Sequence, residues 1–308
     1  MYEGPMFVVG VDENGLGPLL GALISTAVTV EVPAYDAASL RALGLASGLT
    51  DSKKSGGFGR MARCESVALA LAESLAGRRI ADVDVFLDAI SEVGVVSLRA
   101  PCPERAGPQC WSEPLALPAY GGSAVEGHAL LAGLVEAGVA VRRVRSAIAC
   151  AGVLNAQLDR GVNKLAVNLA AFERLILDGR ARAGEDLLAV CGMIGGIRKY
   201  DAHFRHFVLA RAEEQGGGVS AWRVPGVGAV RFVVDADDGH LPVALASMVG
   251  KYVREVTMER VVRFYRARVP GLPAASGYHD PVTRRFVAGT AGERVALGIV
   301  DDCFARRG

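Results

Sequence analysis

At 308 residues, with 51% apolar and 22% charged side chains, the chain has the composition of one large globular unit or two ordinary ones, not of a disordered segment. Lys and Arg number 34 against 33 Asp and Glu. The resulting formal charge of +1 excludes nucleic-acid binding by bulk charge while leaving room for a local basic groove. The longest uncharged apolar stretch, Leu16 to Val30, is broken by Gly17, Pro18, Gly21, Ser25 and Thr26 and is too short for a bilayer, so no membrane span is expected.

Taken in chain order, Met6 to Val11 reads as a buried strand running into a turn at Asp12-Glu13-Asn14-Gly15. Leu19 to Val30 reads as a second strand, an antiparallel neighbour of the first. Residues 36 to 60 look irregular, and Met61 to Ala76 has helical spacing. Ala100 to Gly122 holds five Pro, two Cys and Trp111 and reads as an insertion, spanning about 95 to 125 with its flanks. A helix is predicted over Val125 to Ala137, a strand over Val139 to Ala149 and a long amphipathic helix over Ala156 to Leu177. Asp186 to Ile194 and Ala229 to Val234 are predicted strands. A helix from Pro242 to Arg268 follows, and the tail after Asp280 is predicted helical to about Phe304. Strands mixed with helices predict an α/β fold with a mixed sheet flanked by helices.

The N-terminal residues carry no basic segment ahead of an apolar run, so no signal peptide is expected, and the cytoplasm is the expected compartment. The six cysteines include no C-x-x-C pair, which predicts reduced, mostly buried thiols and no zinc site.

Four features carry possible chemistry. In Gly10-Val11-Asp12-Glu13-Asn14-Gly15-Leu16-Gly17-Pro18, two adjacent carboxylates precede a glycine loop. Carboxylates so placed ligate Mg²⁺, and glycines let backbone N–H groups approach a phosphate, although a plain turn uses the same residues. Asp235-Ala236-Asp237-Asp238 ends another apolar run. It either ligates metal or favours a helix N-terminus by its charge. Lys251, Arg254, Arg260, Arg263, Arg266 and Arg268 form a basic set on the helix that follows, a solvated face or a phosphate contact. Ser276-Gly277-Tyr278-His279-Asp280-Pro281 alone would be a surface turn. His240 and His279 lie beside these motifs as bystanders, and Asn163 reads as a helix cap.

Together these residues resemble the ribonuclease HII (type-2 ribonuclease H) family. Gly10 through Leu19 matches its G-x-D-E-x-G-x-G-P-L signature, Asp51-Ser52-Lys53-Lys54 its D-S-K-K motif, and Ala246-Ser247 with Lys251 and Arg254 resembles its A-S-I-x-A-K-x-x-R-D helix. Ser276-Gly277-Tyr278 resembles its G-S-G-Y segment. The resemblance implies a ribonuclease H-like mixed sheet over residues 1 to 270, carrying the insertion, with a C-terminal helical extension over 271 to 308. It implies a monomeric endonuclease using Mg²⁺ or Mn²⁺ to cut the RNA strand of RNA–DNA hybrids, or single ribonucleotides in duplex DNA. Asp12, Glu13 and Asp237 would be catalytic, and would hold metal with Asp238. Gly15, Leu16, Gly17, Ser52, Lys53, Lys54, Ser247, Lys251 and Tyr278 would bind nucleic acid.

Two departures qualify the match. Leu16 stands where the family has Arg, and Cys191 falls where an Asp of the central strand is expected. Asp186 or Asp201 would have to substitute. The alternative is a catalytically impaired relative that binds nucleic acid or a protein without cutting, and a third option is a hydrolase of some other phosphoester.

Overall fold

The computed structural model describes residues 6–49, 61–102, 109–195, 197 and 199–307. The Asp51-Ser52-Lys53-Lys54 motif lies outside the described residues. Among the described residues seven strands form one sheet: β1 (Met6–Asn14), β2 (Leu23–Val32), β3 (Ala140–Ala149), β4 (Leu187–Gly192), β5 (Arg211–Gly216), β6 (Val219–Val224) and β7 (Gly228–Val233). The spatial order is β3-β2-β1-β4-β7-β6-β5. Strands β1, β2 and β3 pair antiparallel, and β4 and β7 run parallel to β1. The β1 strand extends beyond its predicted end, so Asp12 and Glu13 lie in regular ladder positions opposite Thr26 and Ser25, not in a turn. The antiparallel β5–β6 hairpin, closed by Gly217 and Gly218 at positive φ, has no counterpart among the predicted elements.

In chain order the described helices are α1 (Ala37–Ala46), α2 (Ala62–Ala76), α3 (Val83–Ile90), α4 (Val95–Arg99), α5 (Ala124–Glu136), α6 (Ala151–Asp159), α7 (Lys164–Ala183), α8 (Ala236–Gly239), α9 (Leu241–Arg266), α10 (Pro281–Gly289), α11 (Ala291–Leu297) and α12 (Asp301–Phe304). The irregular segment expected over 36 to 60 contains α1, whose N-terminus is capped by the Asp36 carboxylate accepting from Ala38 and Ser39. The single helix expected over Ala156 to Leu177 is two. Gly161 takes a positive φ at the break, and the Asn163 side chain accepts from Ala166 N at 2.9 Å to start α7. The predicted helical tail is three short helices, α10 to α12.

Two apolar cores sandwich the sheet. Val8, Ile24, Val28 and Val30 face α2, α3 and α9, while Val9, Val11, Ala189 and Cys191 face α7 through Phe172 and Ile176. A third cluster joins Leu20 and the end of α9 (Val261, Tyr265) to Phe286 and Phe304 of the C-terminal segment. Trp111 of the insertion is 1% exposed. The insertion's backbone at Ala119, Tyr120 and Gly122 donates to the fully buried Glu65 carboxylate at 2.6 to 2.8 Å. This part of the insertion is packed structure, held by a desolvated acceptor.

Candidate active site

Because β1, β4 and β7 are mutually parallel, their C-terminal ends emerge at one edge of the sheet, where open α/β sheets collect ligands. A cleft of about 660 Å³ opens there. It is lined by Asp12, Glu13 and the Gly15-Leu16-Gly17 loop from β1, Gly192 and Met193 from β4, and Asp235 and Asp237 beyond β7. Ser247, Lys251, Arg254 and Glu255 of α9, with Ser276 and Tyr278, complete the walls. Residues from four distant sequence motifs therefore share one cavity.

Helix α9 lies directly on β1. A Cβ at Gly10 would sit 2.1 Å from the Pro242 carbonyl carbon, so only glycine permits this approach. Farther along the same face, the Ser247 hydroxyl donates to the Asp12 carboxylate, and Asn14 Nδ2 donates to the Ser247 carbonyl at 3.3 Å. Burial pushes the Asp12 carboxyl up to about 7, opposed by the Ser247 hydrogen bond and reinforced by the negative charges of Asp237 and Glu13. Asp12 and Asp237 are thus close enough to feel each other.

The structure places the missing carboxylate differently from the sequence reading. Val11 pairs with Cys191, and both side chains point into the core beneath α7. The β4 residue on the Asp12 face is Gly192, where a Cβ would lie 2.6 Å from Asp12 Oδ1. Cys191 is fully buried, and burial raises its thiol far above the ordinary range. The gap in the acidic set is a glycine into whose space the Asp12 carboxylate extends.

Asp238 is placed apart from the cleft lining. Its carboxylate accepts from Arg41 of α1 at 3.3 Å, on a neighbouring groove. The residue the sequence reading passed over is Asp235, which lines the cleft at φ +50. A non-glycine residue in that region is strained, and such strain gathers at functional sites. The sequence offered only its membership of the acidic run. His240 lies outside the cleft lining, with Nδ1 2.6 Å from the Tyr35 hydroxyl.

The loop and the tyrosine are braced from behind. The Gly277 carbonyl accepts from Leu19 N and Leu20 N at 2.8 and 3.0 Å, and a Cβ at Gly277 would meet the Leu20 carbonyl oxygen at 2.8 Å. Ser276 Oγ donates to Asp280 Oδ2 at 2.8 Å, and Asp280 caps α10 through Thr283 N. Arg254, 3% exposed, donates to the Ser276 carbonyl at 2.7 Å and lies 4.5 Å from the Tyr278 ring centre. Arg306 donates to the Gly15 carbonyl and, at 2.8 Å, to the Gly21 carbonyl. Tyr278 itself is 48% exposed, with its ring presented to the cleft.

The strand order decides the class: three antiparallel strands, with two further strands parallel to the first. The fold is ribonuclease H-like. No family model and no curated protein matches the chain by sequence. Among solved structures it is similar to the ribonuclease HII of a PCNA complex from Archaeoglobus fulgidus, at TM-score 0.48 and 18% identity over 98% of this chain and 95% of that one. It is similar to ribonuclease H2 from Pyrococcus horikoshii OT3 at TM-score 0.45 and 14% identity, over 97% and 92%. A point mutant of Bst ribonuclease HIII matches at TM-score 0.45 and 16% identity, over 92% and 70%. Within this ribonuclease H-like sheet the acidic residues sit at the strand ends that parallel pairing brings together.

The donor set fits a hard dication in its chemistry. Carboxylate oxygens suit Mg²⁺ and Mn²⁺; burial is the main cause that raises Asp12, and the smaller repulsion from Asp237 and Glu13 is one a cation relieves. Among the described residues, however, no three His, Cys, Asp or Glu side chains are already drawn to metal-binding spacing.

Proposed function

We propose that the chain is a metal-dependent endonuclease that hydrolyses RNA–DNA hybrids, or duplex DNA at single ribonucleotides. The observation that carries this reading is the one cleft holding Asp12, Glu13 and Asp237 beside the glycine loop and Tyr278. Asp12, Glu13 and Asp237, with Asp235 alongside, would hold Mg²⁺ or Mn²⁺. Bound there, such ions supply the positive charge that phosphodiester hydrolysis requires at the attacking and leaving oxygens.

The chain's own groups divide the remaining work. Ser247 orients Asp12 by its hydrogen bond, so its hydroxyl serves the carboxylate first. Gly15, Leu16 and Gly17 bring backbone to the substrate, and Gly17 has open space around its Cβ position. Leu16 offers no charge; among the described cleft residues Lys251 supplies phosphate attraction, to which Lys53 and Lys54 would add. Tyr278 presents a flat face to the sugar, backed by the Arg254 guanidinium.

The test is incubation of a DNA duplex bearing one ribonucleotide with the protein and Mg²⁺, then Mn²⁺. Cleavage at the ribonucleotide is expected, with the all-DNA duplex left intact and Asp12→Asn at least roughly 100-fold slower. Salt-sensitive binding of the duplex without cleavage would replace this reading by the second: a relative that grips nucleic acid but does not cut. Gly192 favours that second reading, because β4 offers no carboxylate toward Asp12.

A further inference from the structure

A second cavity, of about 210 Å³, opens between α7 and the β2–β3 corner of the sheet. Its floor is buried and its rim is exposed. Ser25 of β2, Ser146 of β3 and Asn168 of α7 are buried inside, and Leu23, Leu98 and Val167 are among its apolar walls. Glu92, Arg174 and Arg205 stand at the exposed rim. Ser25 lies opposite Glu13 in the β1–β2 ladder, so the floor is one strand away from the acidic cleft.

The hydroxyls of the floor are engaged within the protein. Ser146 Oγ is 2.8 Å from Thr26 Oγ1, and Ser25 Oγ donates to Asn168 Oδ1 at 2.7 Å. The other end of that amide is different. Asn168 is 0% exposed, and its Nδ2 is buried with no hydrogen-bond partner among the described residues. An amide donor buried without an acceptor keeps its full desolvation cost, which a bound acceptor would remove. At the rim, Arg174 is committed to Glu92 by two hydrogen bonds of 2.6 and 2.9 Å. Arg205 enters no ion pair among the described residues. Its backbone N–H donates to Glu173, which sets it at the Arg174 end of the cavity.

The cavity therefore offers a neutral donor inside and a cationic donor at its mouth, with apolar wall between. Asn168 and Arg174 are six residues apart on α7, about 9 Å along the helix axis, so the two donors suit the two ends of one short molecule. A charge at the floor would be stripped of water, so the inner acceptor is a neutral carbonyl. The outer acceptor is a carboxylate, which a guanidinium binds through its fork of N–H groups. We propose that this cavity is a binding site for a short aliphatic oxo acid. The keto oxygen accepts from Asn168 Nδ2, the carbon chain lies against Leu23, Leu98 and Val167, and the carboxylate meets Arg205. Mostly apolar walls with a few placed polar groups are the usual form of a small-molecule site.

The experiment titrates the full-length chain with levulinate and, separately, with valerate, which has the same carbon chain and carboxylate but no keto oxygen. Binding is read from amide chemical shifts. Levulinate is expected to bind at least roughly tenfold more tightly than valerate, because only it satisfies the buried amide. Asn168→Leu should abolish that preference while valerate still binds. Arg205→Gln, a change at the exposed rim, should weaken both acids by a similar factor of at least roughly three. Equal affinities for the two acids, no saturable binding of either, or a preference for levulinate that survives in Asn168→Leu would overturn the site. Unchanged affinities in Arg205→Gln would overturn the placement of the carboxylate and with it the proposed ligand class. If Asn168→Leu does not fold, the two acids on the unaltered chain and on Arg205→Gln decide. None of these readouts depends on nucleic-acid cleavage.

Discussion

Asp12 carries a stability cost that its position imposes. Its carboxyl is raised to about 7 in the folded chain, against 3.8 when free of its surroundings, so the folded state binds the proton more tightly over that interval. Stability from this group is therefore full below about 4 and lost as the pH climbs through 7. Asp12→Asn should stabilise the protein at about pH 8 by about 1–3 kcal/mol without divalent cation and by little at about pH 4, with thermal melts at the two values as the check. Excess Mg²⁺ should narrow the difference at the higher pH by stabilising the unaltered chain. Cys191 poses the converse case. Its thiol sits among Val9, Val11, Phe172 and Ala189, so Cys191→Asp would bury a carboxyl in apolar surroundings on the wrong face of the sheet. A loss of about 3 kcal/mol or more in urea denaturation is expected, with no gain of nuclease activity.

At the scale of elements, the cleft depends on how closely α9 lies on β1. Gly10 is the contact point, and a Cβ there would overlap the Pro242 carbonyl at 2.1 to 2.4 Å. Backbone cannot yield as a flexible side chain does, so Gly10→Ala must lift the start of α9 from the sheet. It should cost about 1–3 kcal/mol in urea denaturation and carry Ser247 away from Asp12. The glycine loop has a second support in Arg306, whose guanidinium binds the Gly15 and Gly21 carbonyls and which burial, with the nearby Arg254, lowers to about 10. Arg306→Met keeps much of the stem's packing and removes both donors. It should destabilise by about 1–3 kcal/mol and raise the KM for a ribonucleotide-bearing duplex more than it lowers kcat. Equal loss in both parameters would place Arg306 in the chemistry instead.

For the whole molecule, the balance of 34 basic against 33 acidic residues limits how nucleic acid can be held. With Lys251 at the cleft, Lys53 and Lys54 as the further expected contacts, and Leu16 where a positive side chain would help, few phosphates would be neutralised. The logarithm of the binding constant should fall with the logarithm of salt at a slope of roughly 2–4, well below that of strongly basic binders. A slope near about 10 would show a wider basic track than this cleft provides. Charge pairing elsewhere supports the same picture. Arg260, 1% exposed, is spent on Asp84 and on the Glu113 and Trp111 carbonyls, so it braces the insertion and is not a phosphate contact. Arg263 pairs with Glu259 one turn back at 2.8 Å. Much of the basic run on α9 is therefore structural.

The sequence by itself determined the fold class and named the acidic, glycine and tyrosine residues that line the cleft. Apolar runs ending in Asp-Glu and in Asp-x-Asp-Asp, a glycine loop and a Ser-Gly-Tyr turn are local patterns, and local patterns report strands and turns to within a few residues, as β1 does by running on through Asp12 and Glu13. The α5, β3, β4, β7 and α9 elements were legible within a few residues for the same reason. The β5–β6 hairpin was not, because the polar, exposed run Arg211 to Gly216 carries no alternation of apolar side chains. Only the tertiary structure decided which face each strand residue serves. A single step in register separates Cys191, buried beneath α7, from Gly192 beside Asp12, and no local pattern sets that phase. It also decided that Asp235 joins the cleft while Asp238 turns to Arg41. That Cys110, Cys150 and Cys303 line one cavity is likewise invisible to spacing, because neighbours in a packed interior are chosen by how helices and loops dock, not by their distance along the chain.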